Sequence, residues 1–211
     1  LHLSIRLQRQ MCIIYRTEED LISHLIAAEE EGEKLTKDEL ISTCILLLNA
    51  GHEATVHTLG NGIKAILEYG EEKSYLSPKF INATVEEILR HDPPLHIFTR
   101  YAYENIIFRN HQFKCGDEVA LVIGAGGRDE RHWKSADSFN PFRPIKKNLS
   151  FGSGIHFCVG APLARLELLT AIPILFEKFP KITLIDNPLY SNPVSYTHLR
   201  AHETSLHLVC R

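Results

Sequence analysis

The sequence lacks the features that mark secreted, membrane and fibrous proteins. Among 211 residues there are one Trp, one Met and five Cys, and no two Cys form a Cys-x-x-Cys pair. An odd number of Cys without paired spacing argues against a disulfide framework and predicts free thiols in a cytoplasmic protein. No apolar run approaches the roughly 18 residues of a membrane span, and no secretory signal opens the chain. We therefore expect no membrane partner.

Charge of either sign is also modest. The formal net charge is -3, with 44% hydrophobic and 23% charged residues. This balance is typical of a globular domain and excludes a disordered chain or a coiled-coil rod. Without a basic field, the sequence predicts no nucleic-acid partner.

Helical patterns dominate the first third of the chain. Thr17 and Asp20 resemble a capping box for a helix that ends at Gly32, and Thr36 with Glu39 forms a second box. The second helix is predicted to run to about Tyr69, with Gly70 as its stop. Residues 40–48 are apolar nearly all round, so we expect that half of the helix to be buried.

The rest of the chain alternates short strands, loops and two more helices. Asp92-Pro93-Pro94 ends a helix predicted from about residue 78 to 91. Pro162 suits the first turn of a helix predicted over 163–179. Strands are predicted over 97–103, 106–109, 119–123 and 182–185, with a turn at 114–117 and a long loop over 124–150.

The segment 151–167, FGSGIHFCVGAPLARLE, carries the most specific pattern. Glycines flank Cys158, and a predicted helix begins just after it. A thiolate there would face free backbone N–H groups at the positive end of a helix, which suits a metal-ligating sulfur. The glycines let the loop run close to a large flat ligand. A Gly-rich turn with an incidental cysteine is the simpler alternative, and the complete string makes it a poor one.

Other residues fall at informative spacings. Glu87 and Arg90 lie three apart and so share one helix face. Such a pair is worth little when exposed, whereas a buried pair is kept for its geometry. Arg100 lies in a predicted strand, where a solvated strand edge is the simpler interpretation.

Taken together, these motifs resemble the cytochrome P-450 family of haem-thiolate monooxygenases. The resemblance rests on four motifs in the family's order: Ala50–Glu53, Glu87–Arg90, Ala136–Arg143 and Phe151–Arg165. It covers about residues 17–193 and implies the C-terminal half of a soluble bacterial-type member. The fold class that it implies is mainly α with small β-sheets. Residues 1–16 stay unassigned, and residues 194–211 resemble a translated sequencing adapter and are excluded from fold reasoning.

The resemblance implies a role for each matching residue. Cys158 would be the axial ligand of the iron in haem b, and Glu87, Arg90 and Arg143 would lock the loop beneath it. Arg100 and His156 would bond the haem propionates. The residues implied to bind the cofactor are Arg100, Phe151, Gly152, Gly154, His156, Cys158 and Gly160.

The central helix would contribute the catalytic residues Gly51, Glu53 and Thr55. By resemblance Gly51 leaves space for dioxygen where the helix widens locally, and Glu53 takes part in proton delivery. The family normally has a threonine directly after the acid, but this chain has Ala54 there. Thr55 lies one residue later, 100° around a helix, so it does not simply replace the missing hydroxyl. We hypothesise that a water or a substrate hydroxyl supplies the proton path.

The implied reaction inserts one atom of dioxygen into a small organic substrate. Electrons would come from a ferredoxin or flavodoxin, and an anionic sulfur ligand favours O–O cleavage. The isolated fragment is expected to be inactive alone. A non-catalytic haem-binding or sensing domain is the alternative function.

Two other sites are weaker readings of the sequence. His52 and His57 flank a near match to HExxH but lie five residues apart, about 140° on a helix, so they cannot chelate one zinc ion. Residues 124–127 follow a predicted strand, but Asp129 stands where a dinucleotide-binding loop needs its third glycine.

Overall fold

The computed structural model describes residues 20–30, 33–70 and 72–185. The described residues up to Ala50 belong to one compact unit, and those from Gly51 onward belong to another. The predictions for residues 1–16, Thr17, Gly32 and residues 194–211 lie outside the described residues.

The first unit begins with a short helix and a small hairpin. Helix α1 (Leu21–Ala27) is capped by Asp20, whose carboxylate accepts the Ser23 N–H at 2.8 Å. The helix therefore begins after Asp20, because that carboxylate satisfies an N–H group of the first turn. Strands β1 (Glu29–Glu30) and β2 (Glu33–Lys34) pair antiparallel.

Helix α2 (Lys37–Tyr69) follows, and its predicted ends are confirmed. The Thr36 N–H donates to Glu39 Oε2 at 2.8 Å, and the Glu39 N–H donates to Thr36 Oγ1 at 3.3 Å. These reciprocal bonds are the predicted capping box. At the other end Gly70 has a φ of 70°, and its N–H bonds the Ile66 carbonyl.

The first half of α2 is exposed, so the prediction that it is buried was wrong. Leu48 is 76% exposed, and Ile41, Ile45 and Leu46 are also open to solvent. Buried residues of α2 occur only in its second half: Thr58, Gly62, Ala65 and Ile66. An all-round apolar pattern predicts burial only if another element covers it, and the described core packs on the second half alone.

The second unit contains the later helices and two small sheets. Its helices are α3 (Glu72–Tyr75), α4 (Ile81–His91), α5 (Ile123–Gly127) and α6 (Ala161–Lys178). Strand β3 (Ile97–Tyr101) pairs antiparallel with β6 (Glu118–Val122), and β4 (Ile106–Phe108) pairs with β5 (His111–Phe113). A 3-10 turn, Gly154–His156, lies in the loop before α6.

Most of these elements agree with the sequence. The predicted turn at 114–117 is present, with the Lys114 N–H bonded to Asp117 Oδ2 at 2.7 Å. Strands β1, β2 and β5 and helices α3 and α5 were not predicted, and α1 ends at Ala27, short of its predicted end at Gly32. The strand predicted over 182–185 is absent from the described residues, because no described segment pairs with it. The fold class is nevertheless confirmed as mainly α with small antiparallel sheets.

The core of the second unit joins α2, α4 and α6. Ile66 from α2, Ile88 from α4 and Ile172 from α6 are each at most 1% exposed and belong to one apolar cluster. A Cβ on Gly62 would lie 2.8 Å from Ile88 Cδ1, so α2 approaches α4 closely there. No helix in the described part of the chain is both long enough and apolar enough to cross a bilayer.

Replacing Gly127 by alanine is expected to destabilise the second unit by about 2–3 kcal/mol. A Cβ on Gly127 would clash with the carbonyl oxygen of Arg90, which is backbone and cannot move aside cheaply. Urea unfolding measures the loss. Gly124→Ala is the matched control in the same short helix, since its Cβ would lie 3.4 Å from the His96 ring. Equal losses in the two variants would contradict the prediction.

Candidate functional site

A buried ion network lies where α4 meets the segment that leads to the Cys158 loop. Glu87 bonds Arg90 twice, Oε2 to Nε and Oε1 to Nη2, both at 2.8 Å. Arg143 approaches the same carboxylate, with its Nε 2.9 Å from Oε1. Glu87 is 3% and Arg90 1% exposed, so the pair is fully withdrawn from solvent. The structure therefore brings together the three residues that sequence analysis grouped.

The Arg90 guanidinium also binds the backbone of residues 127–138. Arg90 Nη1 donates to the carbonyls of Gly127 at 2.6 Å and Ala136 at 2.7 Å, and Nη2 donates to that of Ser138 at 2.9 Å. The Asn140 N–H donates a further hydrogen bond to Glu87 Oε1 at 2.7 Å. A buried ion pair is tolerable only when such extra bonds satisfy its remaining donors and acceptors. In the described residues no buried side-chain polar atom lacks a partner.

His91, directly after Arg90, is held in its neutral form. Its Nε2 lies 3.2 Å from the Asp137 carbonyl, which can only accept, so Nε2 carries the proton. Its Nδ1 lies 3.4 Å from Arg128 Nη2, which can only donate. Burial, and then the positive charge of Arg128, lower the pKa of His91 from 6.5 to about 4.

Stability is expected to fall as the pH drops from about 6.5 towards 4. Between these pH values His91 binds a proton in the unfolded chain but stays neutral in the folded chain, so protonation favours unfolding. The folded state therefore has its full stability only above pH 6.5. We expect a contribution of about 1–2 kcal/mol, reduced by solvent screening at this half-buried ring. Urea unfolding at pH 7.5, 5.5 and 4 measures it. In His91→Gln, whose amide does not titrate, this part of the pH dependence should disappear; an unchanged slope would contradict the assignment.

The loop before α6 presents Cys158 half-buried. Gly152 and Gly154 have φ values of 72° and 73°, which residues with a side chain rarely adopt. The Cys158 N–H donates to the Phe151 carbonyl at 3.0 Å, and the Ala161 N–H to the Cys158 carbonyl at 3.3 Å. The thiol is free. The loop thus folds back on itself and places the sulfur next to the start of α6.

Exposed apolar side chains surround this position in the sequence. Ile155 is 95% and Val159 88% exposed, and Phe157 is also open to solvent. Gly160 leaves room beside the sulfur, since a Cβ there would lie 3.9 Å from Cys158 Sγ. A soft sulfur donor among uncovered apolar side chains suits a flat hydrophobic ligand with a metal at its centre.

Arg100 and His156 are both exposed. Arg100 lies in β3 and donates only to the carbonyl of the adjacent Thr99 among its described bonds, at 2.8 Å. His156 ends the 3-10 turn. Both side chains are therefore accessible to an anionic ligand.

The residues predicted to be catalytic lie in α2. Gly51 and Glu53 are exposed and Thr55 is half-buried. Helix α2 is α-helical throughout, so the local widening expected at Gly51 is absent. The Thr58 hydroxyl donates to the Ala54 carbonyl at 2.7 Å. That hydroxyl, which sequence analysis did not single out, is four residues from the missing threonine.

Comparison with known proteins identifies the family. The sequence profile described as "Cytochrome P450" matches residues 77–187, which is more than half of the chain and includes the ion network and the Cys158 loop. The chain belongs to the cytochrome P450 family. Membership implies a haem cofactor.

Several P450 proteins from bacteria are similar to this chain. It is 41% identical over 176 residues to the polyketide biosynthesis cytochrome P450 PksS of Bacillus subtilis, covering 82% of this chain and 44% of PksS. It is 38% identical over 175 residues to a vitamin D(3) 25-hydroxylase of Pseudonocardia autotrophica, covering 80% of this chain and 43% of that hydroxylase. The chain spans less than half the length of these curated P450 relatives.

Solved P450 structures show the same fold. PksS superposes with a TM-score of 0.77, covering 89% of this chain and 48% of PksS, at 38% identity. P450BioI was solved in complex with an acyl carrier protein ligated to hexadec-9Z-enoic acid. It superposes with a TM-score of 0.78 at 36% identity, covering 86% of this chain and 47% of P450BioI.

Sequence analysis of this P450 chain missed two groups of residues near the site. Glu86 and Arg165 form an ion pair between α4 and α6, 79 positions apart in the chain, and no local spacing indicates it. Arg128 binds the His91 carbonyl at 2.9 Å from a segment predicted to be loop. Arg165 ends the Phe151–Arg165 motif and Glu86 directly precedes the Glu87–Arg90 motif, but the sequence does not indicate that the two residues pair.

Proposed function

We propose that this chain is part of a haem-thiolate monooxygenase in which Cys158 is the axial ligand of haem b. The observation that carries the proposal is the loop of residues 151–160, which holds a half-buried thiol among exposed apolar side chains next to a helix N-terminus. When bound, haem would supply the activation of dioxygen. The relatives named as hydroxylase and polyketide P450 support an oxygen-inserting reaction on a small organic substrate.

The residues of this chain would bind and orient the cofactor. Cys158 would hold the iron, and Arg100 and His156 would bond the propionates as charged donors. Phe151, Gly152, Gly154 and Gly160 would give the loop its shape. Glu87, Arg90 and Arg143 would keep the loop in place by fixing the segment that precedes it.

Residues of helix α2 would leave room for dioxygen and would take part in proton transfer. A Cβ on Gly51 meets no described atom within 4 Å, so packing within the described part of the chain does not require the glycine. We propose that it leaves space for dioxygen, that Glu53 takes part in moving protons from solvent, and that Thr55 contributes a nearby hydroxyl. Because Ala54 carries no hydroxyl, a water or a substrate hydroxyl would complete the proton path.

An acidic ferredoxin or flavodoxin would supply the electrons in the cytoplasm. A cavity of about 390 Å³ is lined by Lys146, Lys147 and Arg165, against the one carboxylate of Glu86. Lys147 Nζ lies 3.4 Å from Ser153 Oγ, so this positive surface adjoins the Cys158 loop. Opposite charge on a donor would steer its encounter to this side. The free thiols of Cys44, Cys115 and Cys158 suit a reducing compartment.

Haem titration tests the proposal. The chain is mixed with haemin, reduced with dithionite and exposed to carbon monoxide, and the difference spectrum is recorded. A Soret band at the family's characteristic position supports thiolate ligation, and product formation with an electron donor and dioxygen then supports a monooxygenase. Because the isolated fragment is expected to be inactive alone, a band without turnover favours the non-catalytic haem-binding or sensing domain only when it is observed in a full-length P450 that contains this segment. Absence of the band would contradict the proposal.

A further inference from the structure

The two adjacent carboxylates of α4 reach different parts of the fold. Glu87 faces the segment that contains Arg143, as described above. Glu86, which is half-buried, binds Arg165 of α6, with Oε1 2.5 Å from Nε and Oε2 3.3 Å from Nη2. Its Oε2 also accepts a hydrogen bond from Asn148 Nδ2 at 3.2 Å. Glu86 therefore joins α4 both to α6 and to the segment just before the Cys158 loop.

Arg165 carries this connection to the loop itself. Its guanidinium carbon lies 4.7 Å from the centre of the Phe151 ring. The Phe151 carbonyl in turn accepts the Cys158 N–H. From the other side, the Ser150 hydroxyl bonds the Leu89 carbonyl of α4 at 2.5 Å. The residues that open the loop are thus held from both helices.

Charge makes Arg165 dependent on Glu86. Lys146, Lys147 and Arg165 line one cavity, and Glu86 is the carboxylate among the residues that line it. Without that carboxylate the three cations would repel one another, and Arg165 would lose its two bonds on α4. A flexible arginine then moves towards solvent, away from its position over the Phe151 ring.

We propose that Glu86 is a positioning residue, which holds Arg165 over Phe151 and thereby fixes the backbone that presents Cys158. The consequence at the iron rests on the proposed function, but the positioning of the thiol does not. A partly exposed ion pair contributes little to overall stability. Its removal therefore acts on the local opening of the loop rather than on the whole fold.

Alkylation of the thiols tests this without haem. The chain and its Glu86→Gln variant are treated with iodoacetamide, and the rate at each cysteine is measured by peptide mass spectrometry. Cys115, in the turn after β5, is the internal control. We expect the rate at Cys158 to rise roughly three- to tenfold in the variant, with the rate at Cys115 unchanged. An unchanged rate at Cys158, or an equal rise at Cys115, would overturn the proposal.

Two further variants separate positioning from a general loss of stability. Glu68→Gln removes another partly exposed pair, Lys64–Glu68 in α2, and should leave the rate at Cys158 unchanged. Arg165→Lys keeps the charge but lacks the planar group over Phe151, so it should match Glu86→Gln. Combining Glu86→Gln with Arg165→Lys should add no further increase. Faster alkylation of Cys158 in Glu68→Gln, or fully additive rate increases in the double variant, would contradict the proposal.

Haem spectra then distinguish this proposal from the proposed function. In haemin-loaded protein, Glu86→Gln should weaken the thiolate Soret band relative to the wild-type chain, while Glu68→Gln should not. If the wild-type chain shows no such band but Cys158 still responds to Glu86→Gln, the proposed function fails and the positioning role stands. If the band is present and Cys158 does not respond, the positioning role fails alone.

Discussion

Replacing Cys158 by serine is expected to abolish the thiolate Soret band of the haemin-loaded chain. A serine hydroxyl is not ionised at neutral pH and is a hard oxygen donor, so it cannot act as the anionic sulfur that the family uses. The substitution changes one atom of a half-buried side chain whose backbone makes the loop's hydrogen bonds. The loop should therefore keep its shape, and the reduced carbon-monoxide difference spectrum reports the loss.

Cys115→Ser is the control for this experiment. Cys115 is an exposed free thiol whose Sγ bonds the Tyr103 carbonyl at 2.9 Å, away from the Gly-rich loop in sequence. Its replacement should leave the spectrum unchanged. A thiolate band that persists in Cys158→Ser, or that is lost in Cys115→Ser, would assign the iron ligand to another residue.

Replacing Glu87 by glutamine is expected to cost about 3–5 kcal/mol of folding free energy. The variant leaves the Arg90 guanidinium without its counter-charge at a position only 1% exposed, and its amide NH2 group has to face either Arg90 Nε or Arg143 Nε, both of which can only donate. Since a domain of this size is stable by only about 5–15 kcal/mol, a large fraction of its stability is lost. Urea unfolding followed by far-ultraviolet circular dichroism measures the change.

Glu68→Gln is the matched control, because it breaks a partly exposed pair and should cost under about 0.5 kcal/mol. Replacing Glu87 by leucine and Arg90 by methionine together should not restore stability. Apolar pairs can substitute for some buried ion pairs, but here the carbonyls of Gly127 and Ala136 would lose their Arg90 donor, and that of Ser138 would keep only Arg143 Nη2. Full recovery in that double variant would contradict this account.

Local patterns predicted the elements well, because they depend on neighbours in the chain. The Thr36–Glu39 capping box, the end of α2 before Gly70 and the end of α4 before Pro93 are all set by residues within one turn. The exposure of Leu48 was missed because burial depends on which element lies opposite. The absent strand over 182–185 failed for a similar reason, since a strand requires a partner that its own sequence does not specify.

Contacts between residues far apart in the sequence could be predicted at the candidate site only from the family resemblance. The spacing of Glu87 and Arg90 indicates one helix face, but nothing in it points to Arg143, 56 residues later. The resemblance supplied that third partner. Arg165 is part of the matched Phe151–Arg165 motif, but the resemblance gave no signal for its pairing with Glu86, which depends on how α4 packs on α6.

The bonds of Arg90 to peptide carbonyls also bear on protein engineering. A carbonyl is present whichever amino acid occupies the position, so at exposed positions such as Ser138 the bond does not depend on the side chain. A library that randomises the exposed Lys134 and Ser138 should therefore yield mostly folded proteins. The segment could carry new surface chemistry without redesign of the scaffold beneath it.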